Sequence, residues 1–314
     1  KNIKKNNIFF GIKGKKNDGN KYANTAISKG ASLAIVDKIY GKKHYKKIKV
    51  KNSLNIFSKI SKKIREISSI KSIAITGSSG KTSLKEMLSQ SLGSIYSTSY
   101  SKKSYNNKYG VPLSLFNINQ KNVFGVFEAG MNVKGEIDHL TKMIQPDLGI
   151  ITNISYAHIQ KFKNLKGIAN AKAEIMKNIV SEGTVVLNRD DNYFSYLKNI
   201  AKKANLKIIS FGTKSSSDVL LKKIINKKSK SILYISINKK NKKFIIKSKY
   251  KPYIHHVLAS ISAISNFLDI DEINKNFFYN FHLPKGRGNI LKIKLKKNPF
   301  YLLDESYNSN PSSL

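Results

Sequence analysis

Two alternating patterns of apolar positions organise the chain from Ser72 onward. Short continuous apolar runs at 73–75, 123–127, 148–154, 184–187 and 207–211 have the length of strands buried on both faces. Between them, residues 135–144, 165–180 and 193–204 repeat their apolar positions at helical spacing, as do Leu84, Leu88 and Leu92. Such alternation predicts a mainly parallel sheet covered by helices on both sides. Residues 232–237 and 243–248, joined by Asn-Lys-Lys-Asn-Lys-Lys, read as an antiparallel hairpin appended to it. A helix is expected over 255–268, and a further strand pair at 290–295 and 300–303. Before the sheet, residues 1 to about 70 read as a smaller α/β unit. It has strands at 8–12 and 31–36, a turn at 14–20, helices at 22–29 and 54–67, and a Lys-rich surface stretch at 41–51.

The stretch from Ser72 to Leu92, SIAITGSSGKTSLKEMLSQSL, adds chemistry to the pattern. A strand ends in a Gly-Ser-Ser-Gly-Lys-Thr loop that opens a helix, a recipe for holding a polyphosphate. Gly77 and Gly80 let backbone N–H groups approach phosphate oxygens, and the helix N-terminus adds partial positive charge. Lys81 supplies a point charge and the Thr82 hydroxyl a Mg²⁺ ligand, with Ser78, Ser79 and Ser83 completing the cradle. Ile75 stands where the strict eight-residue motif has its first Gly, so the motif is the short form. Glu128 ends one apolar run and His158 follows another. C-terminal strand ends lie beside the nucleotide loop in a parallel sheet, where a carboxylate and an imidazole suit a metal–phosphate site.

Composition narrows the class. With no Cys, disulfides and thiolate metal sites are excluded, and a reducing compartment fits. No apolar run approaches membrane-spanning length, and the opening KNIKKNNIFFGIKG lacks the form of a signal peptide. A cytoplasmic protein without membrane contact is expected. The formal net charge of +40 invites a rival reading as a nucleic-acid-binding P-loop ATPase. Yet of 58 basic residues only Arg65, Arg189 and Arg287 are arginine, and the lysines are scattered. Base readout and bidentate phosphate clamps favour Arg. The expectation is therefore no nucleic-acid partner, with the charge steering anionic substrates.

Beyond the loop, SYNNKYGVPLSL (104–115), FEAGMNVKGEIDHLTKMIQPDLGIITNISYAHIQKF (127–162), GIANAKAEI (167–175) and LLDESYNSNP (302–311) resemble the Mur ligases. The FFGIKGKKNDGNKY and GASLAIV segments extend the resemblance to the uridine-binding domain. Within the family, the Asn-Asn-x-x-Gly-Val-Pro-Leu segment and the Asp-Glu-Ser-Tyr-Asn-Ser-Asn-Pro end favour the branch that adds D-alanyl-D-alanine to UDP-MurNAc-tripeptide. Alternatives in the same class are the diaminopimelate- or lysine-adding ligases and folylpolyglutamate synthetase. The resemblance implies ATP and Mg²⁺, with UDP-MurNAc-tripeptide and D-Ala-D-Ala as substrates and a monomeric state. It implies an acyl-phosphate route to the amide bond.

By position it implies that Lys81 contacts the transferred phosphate and that Thr82 and Glu128 hold one Mg²⁺. His158 would serve a second metal, and Lys172 would be carried as a carbamate whose oxygens ligate metal. Asn106, Asn107 and Ser155 would lie along the sugar-peptide substrate, and Arg287 and Asp304 near the phosphates and ribose of ATP. Asn188 and Asp191 are read as structural. The family's His-Asn-x-x-Asn helix start is here His255, His256, Val257, Leu258, Ala259, leaving His256 to meet adenine. The implied domains are a substrate-binding domain at 1–70, clipped at its start, and the central ATP domain at 71–294. A third, Rossmann-like domain would begin at 295–314, making the chain a fragment.

Overall fold

The computed structural model describes residues 3–156, 159–295 and 298–307. The chain divides into two compact units, Lys1–Glu66 and Ile67–Leu314. In the first, strands β1 (Ile8–Gly11), β2 (Leu33–Val36) and β3 (Lys47–Lys49) form a parallel sheet in that order, with helices α1 (Ala23–Ser28) and α2 (Ser53–Ile67). Its small core is Ala23, Ala34 and Val36, flanked by Phe9, Ile27 and Ile39. Strand β3 falls inside the Lys-rich stretch expected to be plain surface. Its Lys47 is buried, donating from Nζ to the carbonyls of Lys42 (2.7 Å) and Tyr40 (3.2 Å).

The second unit carries the predicted sheet. Its elements run β4 (Lys71–Thr76), α3 (Lys81–Gly93), β5 (Thr98–Tyr100), α4 (Gly110–Leu115), β6 (Phe124–Glu128), α5 (Glu136–Ile144) and β7 (Leu148–Ile151). They continue with α6 (Leu165–Ala173), β8 (Thr184–Asn188), α7 (Phe194–Lys203), β9 (Lys207–Gly212), β10 (Val219–Asn226), β11 (Lys230–Ile237), β12 (Lys240–Lys247) and α8 (Ile254–Ile264). Nine strands lie in the order β12-β11-β10-β9-β8-β7-β4-β6-β5. Those from β5 to β10 pair in parallel, while β11 and β12 are antiparallel. Strands β13 (Asn289–Leu295) and β14 (Asn298–Asp304) make a separate antiparallel ribbon.

The continuous apolar runs are explained by burial on both faces. On β4, Ile73 and Ile75 enter the core formed with Leu84, Leu88 and Leu92 of α3 and Val257, Leu258 and Ile261 of α8. Ala74 between them enters the opposite core, with Ile137 and Leu140 of α5, Ile168 of α6 and Leu197 of α7. Because successive side chains point to opposite faces, both must be apolar.

Several boundaries differ from the sequence reading. Helix α6 stops at Ala173 and passes into a 3-10 turn at Glu174–Asn178, so one helix does not reach residue 180. The β11–β12 connection is only Asn238 and Lys239, both with positive φ (+47° and +73°), so the strands run into the Lys-rich linker. Positive φ at both central residues matches the twist of a two-residue hairpin turn. Strands β5 and β10 and helix α4 lie where no element was expected.

Leu88 is fully buried between β4 and α8. Leu88→Ala should lower unfolding stability by about 2–5 kcal/mol, the usual cost of such a cavity. A urea titration reads this as a lower midpoint at unchanged slope.

Candidate active site

The nucleotide loop joins β4, whose neighbours are β6 and β7, to α3. This is the point where the chain's progress across the sheet reverses, which opens a crevice at the strand ends. Two glycines shape the loop. Gly77 has φ +150°, and a Cβ there would lie 1.7 Å from Thr152 Oγ1. Gly80 has φ +77°, and a Cβ would lie 2.5 Å from His256 Nε2. Both require the missing side chain.

The segment after β7 grips the loop from the side. Ser78 N donates to the Asn153 carbonyl (3.0 Å), and Ser79 N to Asn153 Oδ1 (2.9 Å). Thr152 Oγ1 donates to the Ser79 carbonyl (2.6 Å), and Asn153 Nδ2 to Ser79 Oγ (2.7 Å). Ser155 and Ser78 exchange two bonds: Ser155 N to Ser78 Oγ (2.8 Å), and Ser78 Oγ to the Ser155 carbonyl (3.0 Å). Asn188 and Asp191 hold the same segment, as the structural reading expected. Asn188 Nδ2 donates to the Thr152 carbonyl (3.1 Å), and Asp191 Oδ2 accepts from Ile154 N (2.7 Å).

The polar centre lies at the ends of β4 and β6. Thr82 Oγ1 donates to Glu128 Oε2 (2.8 Å), and Asn106 Nδ2 to Glu128 Oε1 (2.7 Å), so both carboxylate oxygens are engaged. Ser104 Oγ lies 3.2 Å from Thr82 Oγ1 and accepts from Arg287 Nη2 (3.4 Å). Lys81 Nζ donates to the Gly77 carbonyl (2.9 Å). Burial lowers its pKa, the nearby Glu128 carboxylate opposes that, and Arg287 adds to it. Lys172 is buried, and burial, together with the charge of Lys81, pushes its amine well below the usual lysine range.

A cleft of about 860 Å³ opens over this centre. Ser78, Ser79, Gly80, Lys81, Thr82, Ser83, Asn106, Asn107, Glu128, His256 and Arg287 all line it. Asn107 also accepts at Oδ1 from Tyr109 N and Gly110 N (3.0 Å each), starting α4. Lys172, Asp304 and Ser155, also expected there, do not line it. Asp304 turns back on its own chain, accepting from Ser306 Oγ (2.6 Å) and N (3.1 Å), which holds its carboxyl below the ordinary range. Glu305 and Tyr307 face the cleft in its place. Ser155 gives its backbone N–H and carbonyl to Ser78, while its hydroxyl is buried without a hydrogen bond. His158 lies outside the described residues.

Other lining groups escaped the sequence reading: Ser104, His139, Tyr253, Glu305 and Tyr307. Tyr253 donates to the Arg287 carbonyl (3.1 Å), and burial and then Glu305 push its pKa to about 12, so it remains a donor. Ser104 and Tyr307 stood inside segments that carried the family resemblance, which was the available signal.

His256 joins the cleft to a smaller cavity of about 280 Å³ on the other side of the loop. Leu84, Phe211, Ala259, Asn153 and Asn188 also line that cavity. Burial pushes the His256 pKa down to about 4, so the ring is neutral at pH 7. A neutral ring donating from Nε2 to the Gly80 carbonyl (3.1 Å) leaves Nδ1 as an acceptor, and Nδ1 is buried without a hydrogen bond.

The pKa of His256 sets a pH window. Above the unfolded value of 6.5 neither state carries the proton; below it the unfolded chain takes one up first. Stability should therefore fall as the pH drops from 6.5 towards 4, by up to roughly 3 kcal/mol from this group. Comparing urea midpoints of the parent and His256→Asn across that range should show a shallower acid loss in the variant.

The chain's similarities agree with this geometry. Residues 75–263 match the Mur ligase middle domain. The UDP-N-acetylmuramoyl-tripeptide–D-alanyl-D-alanine ligase of Rickettsia prowazekii is 33% identical over 323 residues, covering all of this chain and 69% of its own length. That of Buchnera aphidicola subsp. Baizongia pistaciae is 32% identical over 312 residues, covering 98% and 66%. MurF from Acinetobacter baumannii superposes with a TM-score of 0.87 at 26% identity, over 99% of this chain and 67% of that one. MurF from Thermotoga maritima, solved in complex with ADP, shares the fold with a TM-score of 0.85 at 23% identity, over 99% and 70%. The chain thus spans about two thirds of the length of these relatives. By sequence and by fold, the chain belongs to the Mur ligase family, on its MurF branch.

Proposed function

We propose that this chain provides the ATP-binding body of a ligase that joins D-alanyl-D-alanine to the terminal carboxylate of UDP-MurNAc-tripeptide. The observation that carries the reading is the shared carboxylate of Glu128. One oxygen is held by Thr82 of the nucleotide loop and the other by Asn106 of the facing segment. This ties the phosphate side of the cleft to a neighbouring wall of amide and hydroxyl groups. The relatives' names supply the substrates.

In the proposed reaction the tripeptide carboxylate oxygen attacks the γ-phosphorus of ATP, and the bond to the β-phosphate oxygen breaks to release ADP. The dipeptide amine then attacks the acyl-phosphate carbonyl, forms the amide and expels phosphate. Such transfers depend mainly on positioning and charge neutralisation. Lys81 and Arg287 set positive charge beside the transferred group, and the first amides of α3, which have no intrahelical acceptor, are the ones offered to phosphate. The described side chains supply no thiol and need no protein nucleophile. Thr82 and Glu128 offer oxygen donors suited to Mg²⁺, which would neutralise phosphate charge when bound. A lowered lysine pKa favours the neutral amine of Lys172, the form that adds CO₂ and loses a proton to become a carbamate whose single negative charge is shared by two oxygens. The smaller cavity is where we place the adenine, against Leu84, Phe211 and Ala259 with His256 at its edge. We assign His158 to a second metal, and infer a monomer working in the cytoplasm. Among the described residues, no helix is long and apolar enough to cross a membrane.

Two measurements test this reading. Lys81→Ala should weaken ATP binding by about tenfold or more, since a charge fixed among backbone donors acts directly on phosphate. Exposed Lys→Ala changes should shift it by less than about twofold, because their fields are screened. Equal losses from scattered lysines, or a steep salt-dependent affinity for duplex DNA, would favour the ATPase alternative. In the full-length ligase, Lys172→Ala should lose activity that added short carboxylates partly restore. A loss that formate and acetate leave unrelieved would exclude the carbamate.

A further inference from the structure

Lys85 lies one turn beyond Lys81 on α3 and is fully buried. A buried ammonium must place its three protons on acceptors, or its desolvation goes unrepaid. Here Nζ donates to the carbonyls of Ser101 and Lys103, each at 2.5 Å, and pairs with Glu86 Oε1 at 2.7 Å. The Tyr100 ring lies beside it, its centroid 5.8 Å from Nζ.

What the ammonium holds is informative. Residues 101–103 turn the chain out of β5, and Lys103 sits at φ +52°, a left-handed conformation unusual for a side chain of its size. Immediately beyond the turn come Ser104, which meets Thr82 and Arg287, and Asn106, which meets Glu128. Ser101 is tied to the metal-side strand as well. Its N–H donates to the Val126 carbonyl (3.0 Å), and its hydroxyl accepts from Glu128 N (3.3 Å). The nucleotide-loop helix therefore reaches under the sheet end and grips the segment that completes the site.

We propose that Lys85 is a positioning residue that sets the 101–107 segment against the Thr82–Glu128 pair, and that it acts on acceptor binding rather than on nucleotide binding. It works through Ser104 and Asn106 and touches no reactant. The kinetic part rests on the ligase reading; the structural part does not.

Amide hydrogen exchange on the protein, read by mass spectrometry, tests the structural part without any reaction. Lys85→Met should raise exchange across 101–109 by about tenfold or more, while 72–84 changes by less than about twofold. Unchanged protection of 101–109 would overturn the proposal, and so would equal loosening of both segments. If Lys85→Met fails to fold, Lys85→Gln, which keeps two donors, should show an intermediate effect on the same segment. Rescue gives a sharper check, because the chain has no native cysteine. Lys85→Cys, alkylated with bromoethylamine while unfolded and then refolded, restores an ammonium on a chain of lysine length. Its 101–109 protection should return to the parental level. In the full-length ligase, Lys85→Met should raise KM for the UDP-linked acceptor about tenfold, while KM for ATP moves less than about threefold. If the parent protein forms no amide product, the ligase reading fails, whatever the exchange data show about Lys85.

Discussion

The site depends on a sideways grip. A nucleotide loop with two backbone positions that tolerate no side chain has little intrinsic preference for one shape, because glycine is free to adopt many. Its geometry is imposed by the residues after β7, where Thr152, Asn153 and Ser155 take up the polar groups of Ser78 and Ser79. That grip exists because β4 and β7 are hydrogen-bonded neighbours in register, with Thr76 opposite Ile151. Asn188 and Asp191, one strand further on, hold the gripping segment itself. Order passes from the two cores to β7, and from β7 to the loop.

A second consequence follows for electrostatics. Lys81 feels both the carboxylate of Glu128 and the guanidinium of Arg287, so positive charge is concentrated beside one buried carboxylate. Burial is the main cause of the lowered lysine pKa values, and neighbouring positive charge adds to it. The same arrangement favours whatever negative charge enters. A polyphosphate would relieve the strain that these lysines impose on one another, so binding energy and pKa would change together.

Much of this was readable from the sequence, and the parts that were not share a cause. The apolar run at 73–75, the loop after it and Glu128 at the end of the next strand were legible because local pattern and chemistry coincide in them. Strand β3 was not, since Lys-Ile-Lys has no strand signal until β2 lies beside it. Helix α4 was hidden because Gly110 and Pro112 read as turn residues; its start is fixed by Asn107 accepting from the first backbone amides. Asp304 and Ser155 matched a motif, and what the motif does not show is their local bonding: the Asp304 carboxylate accepts from Ser306, and the Ser155 backbone pairs with Ser78. Lys85 and Lys172 are the clearest limit. In a chain this rich in lysine nothing local separates a buried amine from an exposed one, and only the packing of α3 and α6 makes the distinction.

The outer edge of the sheet has a consequence for how copies of this chain meet one another. Strand β12 is the last of the nine and carries Lys240, Lys242, Lys243 and Lys247, with the backbone of Ile245 already bonded to the Lys275 carbonyl. An unpaired strand edge is a template for adding another strand, and a twin molecule is the nearest candidate. Here any such approach would bring lysine-rich edges together, with only Lys240 and Lys242 of the four paired to Asp271, and would have to break an existing backbone bond. The lysines of this edge thus serve to keep crowded copies apart.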